Sequence, residues 1–213
     1  MKDRKLLNAE LGRIDAAAYR ELPESGVVVV LDNIRSAHNV GSVFRTSDAF
    51  KVDRIFLCGI CACPPSAEIH KSALGAEESV PWVHYADTLE AVSSLRAEGY
   101  VIVSVEQTEN SVNLAGFVPE QGRRYALVFG NEVDGVGQDV VDASDFSLEI
   151  PQYGTKHSLN VSVSAGVVLW HLLQGAGFSA GAGALQDVGL SQGAGSLQGA
   201  ESLQGADNLQ GMG

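Results

Sequence analysis

Three short stretches put chemically capable residues beside apolar runs. In "HNVGSVFRTSDAF" (38–50), Asn39, Gly41 and Arg45 follow the run "VVVVLD". An arginine in the first two turns of a helix opposes the helix dipole, which favours anions at that end. Its placement there makes sense if an anion, or a group about to lose a proton, is to sit beside it. In "LVFGNEVDGV" (127–136) a second apolar run ends in Gly130, Asn131 and Glu132. In "LEIPQYGTKHSLNVSVSAGVVLW" (148–170) a third run stops at Pro151, and Ser158, Leu159 and Asn160 open an apolar helix. Each alone is ordinary: a glycine turn, a solvated carboxylate, a serine N-cap. Together they place polar groups at the carboxyl ends of three strands, where open α/β sheets bind ligands.

The elements that must carry these groups are legible from patterning. The runs 26–31, 54–59, 101–105, 125–130 and 146–151 are rich in Val, Ile and Leu and mostly unalternating, as strands buried on both faces are. A weaker strand is expected at 82–85. Helical patterns fall at 39–49, 88–98 and 158–173, the second opening on Thr88 as a cap and stopping at Gly99. Strands alternating with helices indicate an α/β fold, a mainly parallel sheet flanked by helices. Over residues 3–20, Leu7, Leu11, Ile14 and Ala18 recur at helical spacing and predict one amphipathic helix.

With 213 residues, the chain has room for one well-buried domain and a terminal extension. No run of eighteen apolar residues or signal-peptide pattern occurs, so a cytoplasmic protein with no membrane partner is expected. The net charge of −12 argues against a general basic field for coating nucleic acid. A local cationic rim from Arg35, His38, Arg45, His70, Lys71, Lys156 and His157 remains open. Cys58, Cys61 and Cys63 offer three thiolates in C-x-x-C-x-C, and His70 is a conceivable fourth ligand for zinc. Apolar strand-end cysteines and no metal are the preferred reading. Past Leu173 the composition turns to Gly, Ala, Ser and Gln, with Leu-Gln at 185, 197, 203 and 209. Such a segment is expected to lack a packed core. The division is then an N-terminal extension (1–25), a domain (26–174) and a low-complexity, disordered tail (175–213).

In order and spacing, the three stretches resemble the SpoU (TrmH) family of SPOUT methyltransferases, over about Val27 to Leu172. The resemblance rests on Asn39, Gly41, Arg45 and Thr46; on Phe129, Gly130, Asn131, Glu132 and Gly135; and on Ile150, Pro151, Gly154, Ser158, Leu159, Asn160, Val161 and Ser162. It implies a SPOUT-type fold with a C-terminal deep trefoil knot, and a homodimer. It also implies S-adenosylmethionine-dependent methylation of a ribose 2′-hydroxyl in tRNA or rRNA. The methyl donor would be held largely by backbone groups near Phe129, Gly130, Ile150 and Leu159, with Glu106 and Gln107 adjacent. The resemblance implies one of two roles for Arg45: taking the proton from the ribose hydroxyl, or orienting that hydroxyl and a phosphate while stabilising developing alkoxide charge. Asn39 would position Arg45 or the ribose, Glu132 would orient the arginine or an RNA group, and Ser158 and Asn160 would hydrogen-bond near the ribose. Unlike many relatives, the chain is expected to carry neither a separate N-terminal RNA-binding domain nor a basic C-terminal helix.

Two other readings compete. A Rossmann oxidoreductase wants G-x-G-x-x-G directly after the first strand, and "LDNIRSAHNVG" lacks it. A non-catalytic RNA-binding or assembly factor would keep the fold without turnover, and the presence of Arg45, Glu132, Ser158 and Asn160 counts against it.

Overall fold

The computed structural model describes residues 3–175. Its centre is β1 (Val27–Asp32), buried along its whole length. β1 runs parallel to β2 (Arg54–Cys58) on one side and to β6 (Tyr125–Phe129) on the other, so both its edges and both its faces are covered. That is why "VVVVLD" shows no alternation. With β3 (Trp82–Tyr85), β4 (Val101–Val105), β5 (Val112–Asn113) and β7 (Phe146–Glu149), the sheet has seven parallel strands in the order β3-β2-β1-β6-β4-β7-β5.

Alternate residues of β1 serve two cores. Val27, Val29 and Leu31 pack with α2 (Ala37–Ala49), α3 (Ala67–Ala73) and α7 (Val161–Gly175), through Phe44, Ile69 and Leu169 among others. Val28 and Val30 pack on the opposite face with α5 (Thr88–Ala97) and α6 (Gln138–Asp142), through Val92, Leu95 and Val140. Two shorter helices, α1 (Ala16–Glu21) and α4 (Ala76–Ser79), lie outside the alternating plan.

Four expectations are corrected. The single helix over 3–20 is instead a 3₁₀ turn at Asn8–Leu11 followed by α1. Gly12 takes φ +58 and Asp15 Oδ1 caps α1 by accepting from the Ala18 amide, so the apolar stripe is cut. Leu7, Leu11 and Ile14 are exposed, and Tyr19 of α1 reaches the core. The cap of α5 is Asp87, whose Oδ1 accepts from the Leu89 amide at 2.9 Å; the Thr88 hydroxyl turns inward to Asp32. α7 begins at Val161, not Ser158, because Asn160 Oδ1 accepts from the Ser162 amide at 2.9 Å and serves as its cap. Arg45 is not in the opening turns of α2: the helix starts at Ala37, behind a Ser36 cap, which puts Arg45 in its third turn. The dipole argument for its placement therefore fails. The low-complexity segment lies outside the described residues from 176 onward.

Candidate active site

β4, β6 and β7 all end on one side of the sheet, and the loops that leave them enclose a cavity of about 500 Å³. The loop after β6 is shaped first. Asn131 and Gly135 exchange backbone hydrogen bonds at 3.0 and 3.1 Å. Asn131 Oδ1 also accepts from the amides of Val133 and Asp134, each at 3.0 Å, so that side chain is spent on the turn. Gly135 adopts φ +70, and a Cβ there would overlap the Glu106 carboxylate. A Cβ on Gly130 would overlap the backbone of Gly135 and Val136. The wall here is main chain because no side chain fits.

The other two loops are tied to it. After β4, Glu106 accepts from the amides of Gln107 at 2.8 Å and Val136 at 3.1 Å, joining its own loop to the one after β6. The Gln107 side-chain amide donates to the His157 carbonyl at 2.6 Å, joining it to the loop after β7. Phe129, buried, and Leu159, partly exposed, supply apolar surface, with Ile150 between them in character.

At the edge of the cavity a polar chain crosses from one element to the next. Asn39 Nδ2 donates to Glu132 Oε1 at 2.7 Å, and Asn160 Nδ2 donates to Asn39 Oδ1 at 3.2 Å. The Arg35 amide donates to Glu132 Oε2 at 3.3 Å. Partial burial works against ionisation of Glu132, but hydrogen bonds from Asn39 and from nearby backbone amides outweigh it and hold its carboxyl below the ordinary value. Glu132 is therefore an anion at neutral pH. Gly41 makes this reach possible. A Cβ on it would overlap Ser72 Oγ and the Ile69 carbonyl, so its absence lets α2 seat against α3.

Of the eleven residues singled out from the sequence, Glu106, Gln107, Phe129, Gly130, Glu132, Ile150, Ser158, Leu159 and Asn160 line the cavity. Asn39 joins them through its hydrogen bonds. Arg45 does not: it is exposed on α2 and lies outside the cavity lining. The cationic rim divides similarly. Arg35, Lys156 and His157 are exposed on the loops bordering the cavity, whereas His70 Nδ1 contacts Glu77 Oε1 at 2.5 Å. Cys58 and Cys61 are buried. Burial, the main cause, pushes their thiols up to about 12 and about 11.

One structural residue escaped the sequence reading. Asp32, buried at the end of β1, accepts from Thr88 Oγ1 at 2.6 Å and from the Gly137 amide at 3.0 Å, pinning the segment after Gly135. A carboxylate closing an otherwise apolar strand was its signal.

Residues 26–170 match the SpoU rRNA Methylase family. The 23S rRNA (guanosine-2'-O-)-methyltransferase RlmB of Neisseria meningitidis serogroup B is 32% identical over 148 residues, 70% of this chain and 58% of that protein. The match thus spans less than two thirds of the relative's length. The crystal structure of an AdoMet-bound rRNA methyltransferase from Sinorhizobium meliloti superposes with a TM-score of 0.65 at 27% identity, covering 72% of this chain and 58% of that one. The A. aeolicus TrmH/SpoU tRNA modifying enzyme shares the fold, with a TM-score of 0.68 at 24% identity and coverage of 78% and 84%.

Proposed function

The chain belongs to the SpoU rRNA methylase family, and from that premise we propose that it transfers a methyl group from S-adenosylmethionine to a ribose 2′-hydroxyl of tRNA or rRNA. The observation that carries this reading is the cavity itself. Its three loops hydrogen-bond to one another, and the Glu132–Asn39–Asn160 chain stands at its edge.

The donor suits this cavity. Walls of main chain at Gly130 and Gly135, where a Cβ would overlap the backbone or Glu106, offer peptide groups that would hold a polar heterocycle, and Phe129, Ile150 and Leu159 would add apolar contact. When bound, S-adenosylmethionine supplies an electrophilic methyl on a sulfonium. The chain's own task is to align the hydroxyl with it and ease the loss of the proton. The Arg45 guanidinium has no acceptor of its own. It acts by holding the ribose hydroxyl and the neighbouring phosphate, and by stabilising alkoxide charge as it develops. Glu132, ionised, fixes Asn39, and Ser158 and Asn160 hydrogen-bond beside the ribose.

An arginine outside its own cavity can serve the reaction by reaching the cavity of a second copy, which favours the homodimer. Exposed Val163, Val167 and Trp170 on α7 offer apolar surface for that contact. The reading also includes the knot. The long connection from β4 to β6 carries β5 to the far side of β7, and its Phe117 carbonyl accepts from His171 Nε2 on α7 at 2.6 Å. β7 and α7 therefore both lie against one closed connection, as a threaded chain requires. Residues 26–174 form the catalytic unit in this reading, with 1–25 as an extension and 175–213 as a dispensable tail, acting on cytoplasmic RNA. Among the described residues, no helix is long and apolar enough to cross a membrane.

The test is transfer of labelled methyl from S-adenosylmethionine to total tRNA and rRNA, with mapping of the modified nucleotide. Expected are one 2′-O-methylated site, inhibition by S-adenosylhomocysteine and indifference to chelator. Donor binding without transfer to any RNA would instead mark a non-catalytic RNA-binding factor.

A further inference from the structure

Tyr153 is 96% exposed, more than any other large apolar side chain on the described surface. A single exposed aromatic needs no explanation by itself. Its setting is what carries meaning. It follows Pro151 and Gln152 on the loop from β7 to α7, and Gln152, His157, Ser158 and Leu159 of that same loop line the cavity. The loop is held at the Gln107–His157 hydrogen bond of 2.6 Å. Pro151 restricts the backbone just before it. Tyr153 thus directly follows the lining residue Gln152 on a loop tied to the one after β4, and among the described residues its phenol makes none of the hydrogen bonds or aromatic contacts that other tyrosines here make, such as Tyr19 to the Val52 carbonyl or Tyr85 against Phe56.

The cavity itself carries carboxylates, Glu106, Glu132, Asp134 and Glu149, and the exposed cations around it are few. Exposed Lys156 and His157 share the Tyr153 loop, and Arg35 sits beside Glu132, in a chain whose net charge is −12. A second cavity, which shares Asn131, Asp134 and Gly135 with the first, is lined by Asp32, Asp87, Asp134 and Asp139. Phosphates are repelled from that flank, and Lys156 is the cation nearest Tyr153 along the chain. A strand whose phosphate pairs with Lys156 would pass beside Tyr153.

Resting on the methyltransferase reading above, we infer that Tyr153 is a substrate-recognition residue whose ring stacks on an unpaired base of the RNA next to the methylated ribose. Proteins read single-stranded RNA by stacking splayed bases on exposed aromatic rings. One such stack contributes about 5- to 100-fold in affinity and tolerates any base. The substrate class is therefore an RNA loop or other unpaired region, and not a continuous duplex.

The experiment compares wild type with Tyr153→Phe, Tyr153→Leu and Tyr153→Ala. It measures methyl transfer to unmodified tRNA and rRNA transcripts, donor binding by calorimetry, oligomeric mass by light scattering, and Tm. Expected are a rise in the KM for RNA of about tenfold or more in the Ala and Leu variants and near-wild-type behaviour for Phe. Donor affinity, mass and Tm should not change, since the ring is almost wholly exposed. Unchanged KM in the Ala and Leu variants overturns the inference, as does a parallel loss of donor affinity or of dimer mass. If wild type binds donor but methylates no transcript, the enzymatic reading fails separately. Fluorescence of a mixed-sequence oligoribonucleotide carrying 2-aminopurine then decides the stacking: quenching by wild type that Tyr153→Ala abolishes supports it, and equal quenching by both overturns it.

Discussion

Asn39 and Glu132 lie 93 residues apart in sequence, and the Asn39 side-chain amide donates to Glu132 at 2.7 Å while its oxygen accepts from Asn160. Asn39 is buried, so both ends of its amide are satisfied by protein groups drawn from two different loops. It sets where α2 stands relative to the cavity.

Asn39→Ala is expected to slow methyl transfer roughly 10- to 100-fold, because a shift of about 1 Å in a positioning group costs that much. Donor affinity should change less than about threefold. Asn39→Asp should be the more destabilised of the two at neutral pH, since it places a second carboxylate against an ionised one. Single-turnover rates, donor titration and thermal melts of both variants check this; equal rates for wild type and Asn39→Ala would remove Asn39 from the site.

Glu132 carries a pH signature. Its hydrogen bonds hold the folded-state carboxyl below its ordinary value, although partial burial opposes this. A group depressed on folding contributes stability that is present above the unfolded-state pKa, about 4.3 for glutamate. That contribution disappears as pH falls through the lower, folded-state value. The Tm of wild type should therefore exceed that of Glu132→Gln near pH 7, and the difference should shrink below about pH 4. Melts of the two proteins from pH 7 to 3 measure it directly. A difference that stays constant across that range would mean that Glu132 gains nothing from ionisation.

Gly135 tests the donor cavity. Its φ of +70 disfavours any side chain, and a Cβ would press on the Glu106 carboxylate that holds the Val136 amide. Gly135→Ala should lower donor affinity about tenfold or more and lower Tm by several degrees, the backbone strain alone being about 1–2 kcal/mol. Gly122 is the control. It has φ +77 with open space around it and lies outside the cavity, so Gly122→Ala carries the backbone strain alone and should leave donor affinity intact. Calorimetric titration with S-adenosylmethionine distinguishes them, and equal affinity in both variants would place the donor elsewhere.

The central strands and longer helices were legible because burial on both faces forces unbroken apolar runs, and β4 and β3 match their expected limits of 101–105 and 82–85. What stayed hidden was short or set by distant contacts. α3 reads as a weak, mixed stretch, and its position follows from packing on Gly41. β5 is two residues long and exists only because β7 lies beside it. At the site, patterning places the polar groups of the three stretches at strand ends, whereas Glu106, Gln107, Phe129, Gly130, Ile150 and Leu159 are assigned by the family resemblance and not by any periodicity. Helix starts were less visible, since Asn160 and Asp87 competed with Ser158 and Thr88 as neighbouring caps. Tyr153 carries no periodicity signal, because its exposure is a property of the folded surface.

Arg45 gives the sharpest test of the mechanism. It sits six residues beyond Asn39 on α2, about 120° away around the helix, and outside the lining of its own chain's cavity. Glu132 is engaged by Asn39 and the Arg35 amide, not by Arg45, so among the described residues removing Arg45 breaks no ion pair at the sheet edge. Arg45→Ala and Arg45→Lys should both slow methyl transfer by roughly 10²-fold or more, because lysine keeps the charge and loses the planar fork that spans a hydroxyl and a phosphate. Tm and donor affinity should stay at wild-type values. Early melting with retained turnover would make Arg45 a structural residue. Mixing subunits decides whose cavity it serves. Arg45→Ala supplies an intact donor cavity, and Gly135→Ala supplies an intact arginine. If Arg45 reaches across a homodimer, mixed dimers pair one with the other and recover activity that neither variant has alone. If it serves its own chain, every cavity in the mixture lacks one component and no activity returns.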